Sequence, residues 1–205
     1  MQRSRNILFN ICFAINCLLL FFLVFENRLV IPPWLQVAGR MHPLVLHLPI
    51  TLIILYILWS LFVEKKFRTN EAIVNMGEWL LLLSALTASF TALAGLFLSK
   101  EDGYDTGALQ WHKWGGIGIA ILTSLWYAYR KAIKKRNWLN VSAGLTSLVV
   151  IIFTGHKGAE ITHGQNFLLA PCDARKATAQ SINGGSGSIC THGKTYFTNK
   201  VYKLP

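Results

Sequence analysis

Five long apolar runs, none containing Asp, Glu, Lys or Arg, constrain this 205-residue chain more than any other feature: Ile7–Phe25, Leu44–Val63, Trp79–Leu98, Trp114–Tyr129 and Trp138–Phe153. A helix that crosses a bilayer needs about 20 mostly apolar residues, and each run approaches that length. The competing reading, buried helices of a soluble protein, fits poorly with 53% hydrophobic content. The pattern predicts an all-α, polytopic membrane protein with five transmembrane helices, the last four forming a bundle. The last two runs hold only 16 residues each, so they are expected to lie in a thin region or to borrow interfacial residues. Arg3 and Arg5 precede the first run, as in a signal peptide. That run exceeds the usual ~7–15-residue apolar region and no small-x-small site follows it, so an uncleaved anchor is expected.

The net charge of +11 suggests a nucleic-acid partner only until its distribution is read. Cytoplasmic loops of membrane proteins carry excess Lys and Arg. With the N-terminus inside, the inner segments hold Arg3, Arg5, Lys65, Lys66, Arg68, Arg130, Lys131, Lys134, Lys135 and Arg136. The outer loops hold Arg28, Arg40, Lys100 and Lys113. The charge therefore reports topology: five crossings of a bacterial inner membrane, N-terminus cytoplasmic, C-terminus periplasmic. The bilayer, with its anionic lipid, is the expected partner, and no nucleic acid is implied.

This topology gathers five of the six histidines on the periplasmic side: His42, His47, His112, His156 and His163. Ionisable side chains at membrane depth are costly and mark functional sites, so a metal ion, a haem or a proton relay is expected there. His42 and His47 lie five residues apart, about 500° around a helix, and so face different ways. His47 is expected as the inner ligand and His42 as a cap or outer group. His112 opens the fourth run, where a helix N-terminus favours the neutral, metal-binding imidazole; Asp102 or Asp105 is placed to hold its second nitrogen. Near His156 and His163, Gly155, Gly158 and Gly164 suggest a helix end and a tight exit loop, with Glu160 available to orient a histidine or move a proton. At each place the plain alternative is a hydrogen-bonded histidine with no ligand. His47, His112 and His156 are the candidate metal ligands.

Pro49 deprives the carbonyl of Val45 of its partner, so a kink near His47 is expected. Small residues at Ser84, Ala88 and Ala92, with Thr87, Thr91 and Gly95 beside them, at Gly116, Ala120 and Ser124, and at Ser142, Ala143, Gly144 and Ser147 predict close helix packing. No internal repeat is evident. Residues 1–38 read as an anchor helix and outer linker, 39–170 as the four-helix domain, and 171–205 as a polar, flexible tail. Cys12 and Cys17 read as small apolar groups, whereas Cys172 and Cys190 are candidates for a disulfide in an oxidising compartment. No Cys-x-x-Cys-His occurs, so covalent c-type haem is not expected.

Three segments together resemble an uncharacterised bacterial integral-membrane domain of four helices: His42-Pro43…His47-Leu48-Pro49-Ile50, Gly103-Tyr104-Asp105…Trp111-His112-Lys113-Trp114, and Thr154-Gly155-His156-Lys157-Gly158…Thr162-His163-Gly164. Members of that family often precede a planctomycete-type cytochrome c domain, which implies a periplasmic redox role with a cytochrome c partner. This chain departs from the pattern at Ala159-Glu160 and in its short tail without a haem-attachment motif. The expected function is a membrane redox module binding b-type haem, or a metal ion, through the histidines. The alternative is a cofactor-free membrane anchor or assembly subunit. An enzyme is not expected, since no nucleophile–base pair or phosphate loop appears.

Overall fold

A computed structural model describes residues 2–101 and 106–164, with Thr106 described in its backbone alone. The expected Asp102 and Asp105, the Cys172–Cys190 pair and the 171–205 tail lie outside the described residues. Among the described residues the fold is all-helical: α1 (Gln2–Val24), α2 (Pro33–Arg40), α3 (His42–Val45), α4 (His47–Leu58), α5 (Glu71–Leu98), α6 (Thr106–Ala128), α7 (Arg130–Lys135) and α8 (Asn137–His163). A 3-10 turn covers Glu26–Arg28, and a π-helical turn, Trp59–Glu64, extends α4.

Local chemistry explains the boundaries. Pro49 has no N–H to donate, and the α3–α4 helix breaks at Leu46, one residue past the carbonyl left without that donor. At the start of α5 the side chain of Asn70 accepts hydrogen bonds from the backbone N–H groups of Ala72 (3.0 Å) and Ile73 (3.4 Å), filling two otherwise orphaned donors. Gly164, at φ 88°, closes α8 in a backbone region that glycine enters without penalty.

Four helical stretches are long and apolar enough to cross a membrane: Gln2–Val24, Pro33–Glu64, Glu71–Leu98 and Asn137–His163. The helix α6 carries Gln110, His112 and Lys113 in its first turns and is not among them. The last two apolar runs are only parts of longer helices, α6 of 23 residues, which begins well before its run, and α8 of 27 residues, which continues well after its run. Polar residues at helix ends continue the backbone ladder beyond the run that a hydropathy pattern detects.

Ion pairs and hydrogen bonds sort the helix termini into two ends. At one, Arg5 of α1 meets Glu78 of α5 at 2.5 Å, Arg130 approaches the same carboxylate at 3.3 Å, and Lys134 meets Glu64 at 2.5 Å. We call this the basic end. At the other, the histidine end, Glu26 holds Lys113 at 2.7 Å and Lys100 at 3.0 Å, and Arg40 meets Glu101 at 3.0 Å. Between the ends α1 lies against α5 and α6, clamped by a buried polar knot. The Asn16 side-chain N–H group donates to Ser89 Oγ (2.7 Å), Ser124 Oγ (3.1 Å) and the Cys12 carbonyl (2.9 Å). Such bonds between helices matter where lipid gives apolar side chains no reason to prefer one another. Cys12 is fully buried in this knot, whereas Cys17 is exposed.

The bundle is a repeat of two helical hairpins, α3–α5 and α6–α8, which the sequence did not reveal. Three side-chain pairs meet between them: His42 with His112, Tyr56 with Trp126, and Glu64 with Lys134. Each pair is 70 residues apart (112 − 42, 126 − 56, 134 − 64). On the second helices the shift is 63. Ser84 and Ser147 are both fully buried, each donating to the carbonyl four residues back, and Thr91 and Thr154 each hold a histidine. The likeness is in how each hairpin is built and not in how the two pack together: α5 lies closely on α6, whereas α4 and α8 touch little.

Candidate functional site

Two histidines meet between the hairpins. The His42 ring, from the start of α3, donates from Nδ1 to the Thr91 carbonyl of α5 at 2.9 Å. The His112 ring, from the second turn of α6, does the same to the Thr154 carbonyl of α8 at 2.8 Å. A carbonyl can only accept, so each neutral imidazole carries its proton on Nδ1 and leaves the Nε2 lone pair free. The ring centres lie 5.9 Å apart with planes at 88°.

Glycines four residues beyond each threonine make room for the rings. A Cβ on Gly95 would lie 2.9 Å from Cε1 and Nδ1 of His42, and one on Gly158 would lie 3.0 Å from Cε1 of His112. Thus Gly158 belongs to the body of α8 and serves a close approach, as does its counterpart in α5. The expectation that Gly155 and Gly158 open an exit loop is corrected: the helix continues to His163, because its glycines answer a packing need and keep helical backbone. Gly158→Ala is expected to destabilise the fold by about 1–3 kcal/mol through overpacking. Gly155→Ala should cost far less, since its Cβ would meet nothing within 4 Å. Thermal unfolding of both variants in detergent checks the contrast.

The two rings border a cavity of about 110 Å³, walled by Ile50, Ile53, Ile119 and Ile151 and by the bare backbones of Gly116 and Gly155. Thr91 and Thr154 also line it, and the hydroxyls of both are buried without a hydrogen-bond partner.

The other expected residues stand apart from this pair. His47 is exposed, on a different face of the helix from His42. His156 is partly exposed and its Nε2 lies 3.0 Å from Glu160, which also receives Lys157 at 2.8 Å. His163 is exposed at the end of α8. Among the described residues no three His, Cys, Asp or Glu side chains gather as a metal-ligand group, so His47, His112 and His156 share no common centre. Sequence reasoning missed the roles of Thr91, Gly95 and Thr154. The signal was there as a histidine followed, after 49 or 42 residues, by Thr-x-x-x-Gly, the shared element of both hairpins.

Beside His112, the ammonium of Lys113 is nearly buried and held by Glu26. Burial alone would raise the Glu26 carboxyl, but its hydrogen bonds to Lys113 and Lys100 outweigh that and hold it below the ordinary carboxylate range. A carboxyl lowered in the folded state contributes stability that is present above its unfolded value and lost as pH falls through the folded one. Acidification below the ordinary carboxylate range is therefore expected to loosen the α1–α6 link. Glu26→Gln should flatten this acid limb of the pH–stability profile and lower stability at neutral pH, both readable by thermal unfolding.

Residues 40–166 match the model of a family described as Predicted membrane protein (DUF2231). No curated protein matches the chain, and no solved structure does.

Proposed function

We propose that this chain, which belongs to the DUF2231 family of predicted membrane proteins, is a redox module that holds a b-type haem between His42 and His112. The observation that carries the reading is the neighbouring pair of imidazoles, ring centres 5.9 Å apart, each fixed by its Nδ1–H so that Nε2 is the nitrogen left to bind. Histidine imidazoles are haem-iron ligands, and a hydrogen bond on the far nitrogen orients the ring and raises its basicity. Bare backbone at Gly116 and Gly155 and the apolar wall suit a flat, apolar group, and the unpartnered Thr91 and Thr154 hydroxyls suit a polar edge. When bound, the haem supplies one-electron transfer at a potential tuned by ligands, burial and hydrogen bonds. The protein's own part is to orient both imidazoles through their Nδ1–H donors and to present the histidine end to a partner.

In this reading α6 is the fifth crossing, the basic end faces the cytoplasm of a bacterial inner membrane, and the histidine end faces the periplasm. The excess of Lys and Arg at the basic end supports that orientation. The exchange partner is a cytochrome c-type protein, in keeping with the family resemblance of the three histidine segments. A second reading is favoured by cavity size: about 110 Å³ is small for a whole porphyrin, and a single metal ion, which His42 and His112 would hold, would need no more room.

The test is the visible spectrum of protein purified in detergent from haem-supplied cells, oxidised and then reduced with dithionite. A Soret band that shifts on reduction supports the haem. A featureless spectrum with one equivalent of metal by elemental analysis favours the ion. A featureless, metal-free protein leaves a membrane anchor whose histidines only join helices.

A further inference from the structure

His47 is exposed on α4, and among the described residues its ring makes no hydrogen bond or ion pair. Its depth makes that costly. The α3–α4 helix belongs to a stretch long and apolar enough to cross a membrane, as does α5. The two run antiparallel: His42 reaches the Thr91 carbonyl, and Trp59 Nε1 donates to the Ile73 carbonyl at 3.2 Å. Five residues on from His42, His47 lies about 7.5 Å farther along the helix. That is near the level of Ala88, which lines one cavity with Pro49 and Ile50. Ala88 stands about midway between Glu78 and Lys100, whose ion pairs mark the basic end and the histidine end. An imidazole that faces lipid near the middle of a bilayer needs a hydrogen-bond partner, and the described residues supply none.

The surface around His47 says what form the partner takes. Leu44, His47, Thr51, Ile54 and Leu58 are all exposed, and they follow one another at spacings of three, four, three and four residues. This is the 3.5-residue repeat of helices that pair in a left-handed sense. The stripe is bare within the chain, since α1 packs on α5 and α6, and α8 touches α4 little. At the matching positions of the second hairpin, 70 residues on, stand Ile117 and Ile121, so the build of a hairpin does not call for His47 and Thr51. An uncharged imidazole carries one N–H donor and one lone-pair acceptor. It therefore complements a copy of itself, whereas a different protein would have to bring its own polar group to that depth.

We propose that this stripe of α4 is the interface of a homodimer, two copies of the chain related by a two-fold axis along the bilayer normal. That operator sets the two α4 helices parallel, so each stripe residue meets its own copy at one depth. His47 of one copy donates to His47 of the other, with Thr51 one turn away, and Leu44, Ile54 and Leu58 pack on either side. Polar side chains join helices in this way where lipid gives apolar ones no preference. The proposal is independent of the cofactor, because His47 lies on a different face of the helix from His42.

The experiment places the full chain in phosphatidylcholine vesicles, as two populations labelled at the N-terminus with donor and acceptor dyes, and follows energy transfer as lipid dilutes the protein. Native mass spectrometry of the released protein should give twice the 23.0 kDa chain mass. His47→Leu should raise the dissociation constant about 3- to 30-fold, the span of one hydrogen bond between helices. His47→Asn keeps a donor and an acceptor on one side chain and should stay near the unsubstituted value. Phe13→Ala, on the exposed face of α1, should change nothing. As a second readout, Leu44→Cys and Ile54→Cys should each give disulfide-linked dimers on mild oxidation, beyond any formed by the unsubstituted chain. Monomers at every dilution would overturn the proposal, as would unchanged dimers in His47→Leu or a loss in His47→Asn as large as in His47→Leu. Equal weakening by Phe13→Ala would make the association non-specific and overturn it too. So would cross-linking of Leu44→Cys to a different protein in the source membrane, which would make that protein the occupant of the stripe.

Discussion

His42→Ala and His112→Ala are each expected to abolish the reduced-minus-oxidised spectrum completely, while His47→Ala leaves it intact. The difference follows from placement: two imidazoles adjoin each other with Nε2 free, and the third is exposed on another face. The supporting residues give a graded version of the same test. Gly95→Val and Gly158→Val keep both histidines but drive a side chain into the ring. They should weaken cofactor retention about 10- to 100-fold, the range seen when a group that orients a ligand is disturbed. Haem content per protein, measured by pyridine haemochrome, reads all five. Pigment retained in both His42→Ala and His112→Ala would sink the assignment, and pigment lost only in His47→Ala would move the site to the outer face.

The second large effect is on stability. Glu78→Leu should destabilise the bundle by about 3–5 kcal/mol, because it strands two cations at once. Arg5 and Arg130 both converge on that carboxylate, and their side chains are 8% and 12% exposed. Arg130 retains a hydrogen bond to the Tyr127 carbonyl at 3.0 Å and a place over the Tyr127 ring at 4.1 Å. Arg5 keeps only Gln2 and Asn75. The double variant Arg5→Leu/Glu78→Leu should therefore recover most of the loss, since replacing a buried pair by apolar side chains is often neutral. Thermal unfolding in detergent decides. A double variant as unstable as the single one would mean that the carboxylate serves Arg130 rather than α1.

The apolar runs were legible because a lipid solvent allows few alternatives, and each falls on helical backbone for nearly all of its length. Their ends were not, since residues such as Gln110 and His163 extend a helix without raising its hydropathy. The break at Leu46 followed from Pro49 as expected. The choice between His42 and His47 did not, because a five-residue spacing says that the two diverge but not which one points inward. Gly158 was read as punctuation and proved to be a contact surface, a distinction that depends on a ring arriving from 46 residues away in the chain. The duplication escaped notice for a similar reason. Its matching pairs are Tyr56 with Trp126 and Glu64 with Lys134, alike in contact and unlike in identity, and the two helices of each hairpin shift by different amounts.

The knot around Asn16 and the ion pair of Glu26 have one more consequence. The two hairpins hold His42 and His112 in matching ways, yet α1 packs on α5 and α6, and the turn after it brings Glu26 to Lys113, the immediate neighbour of His112. The residue that follows His42 is Pro43, which carries no charge. Docking of the first helix thus gives two similarly held histidines unlike surroundings: a buried ion pair adjoins His112, and a proline adjoins His42.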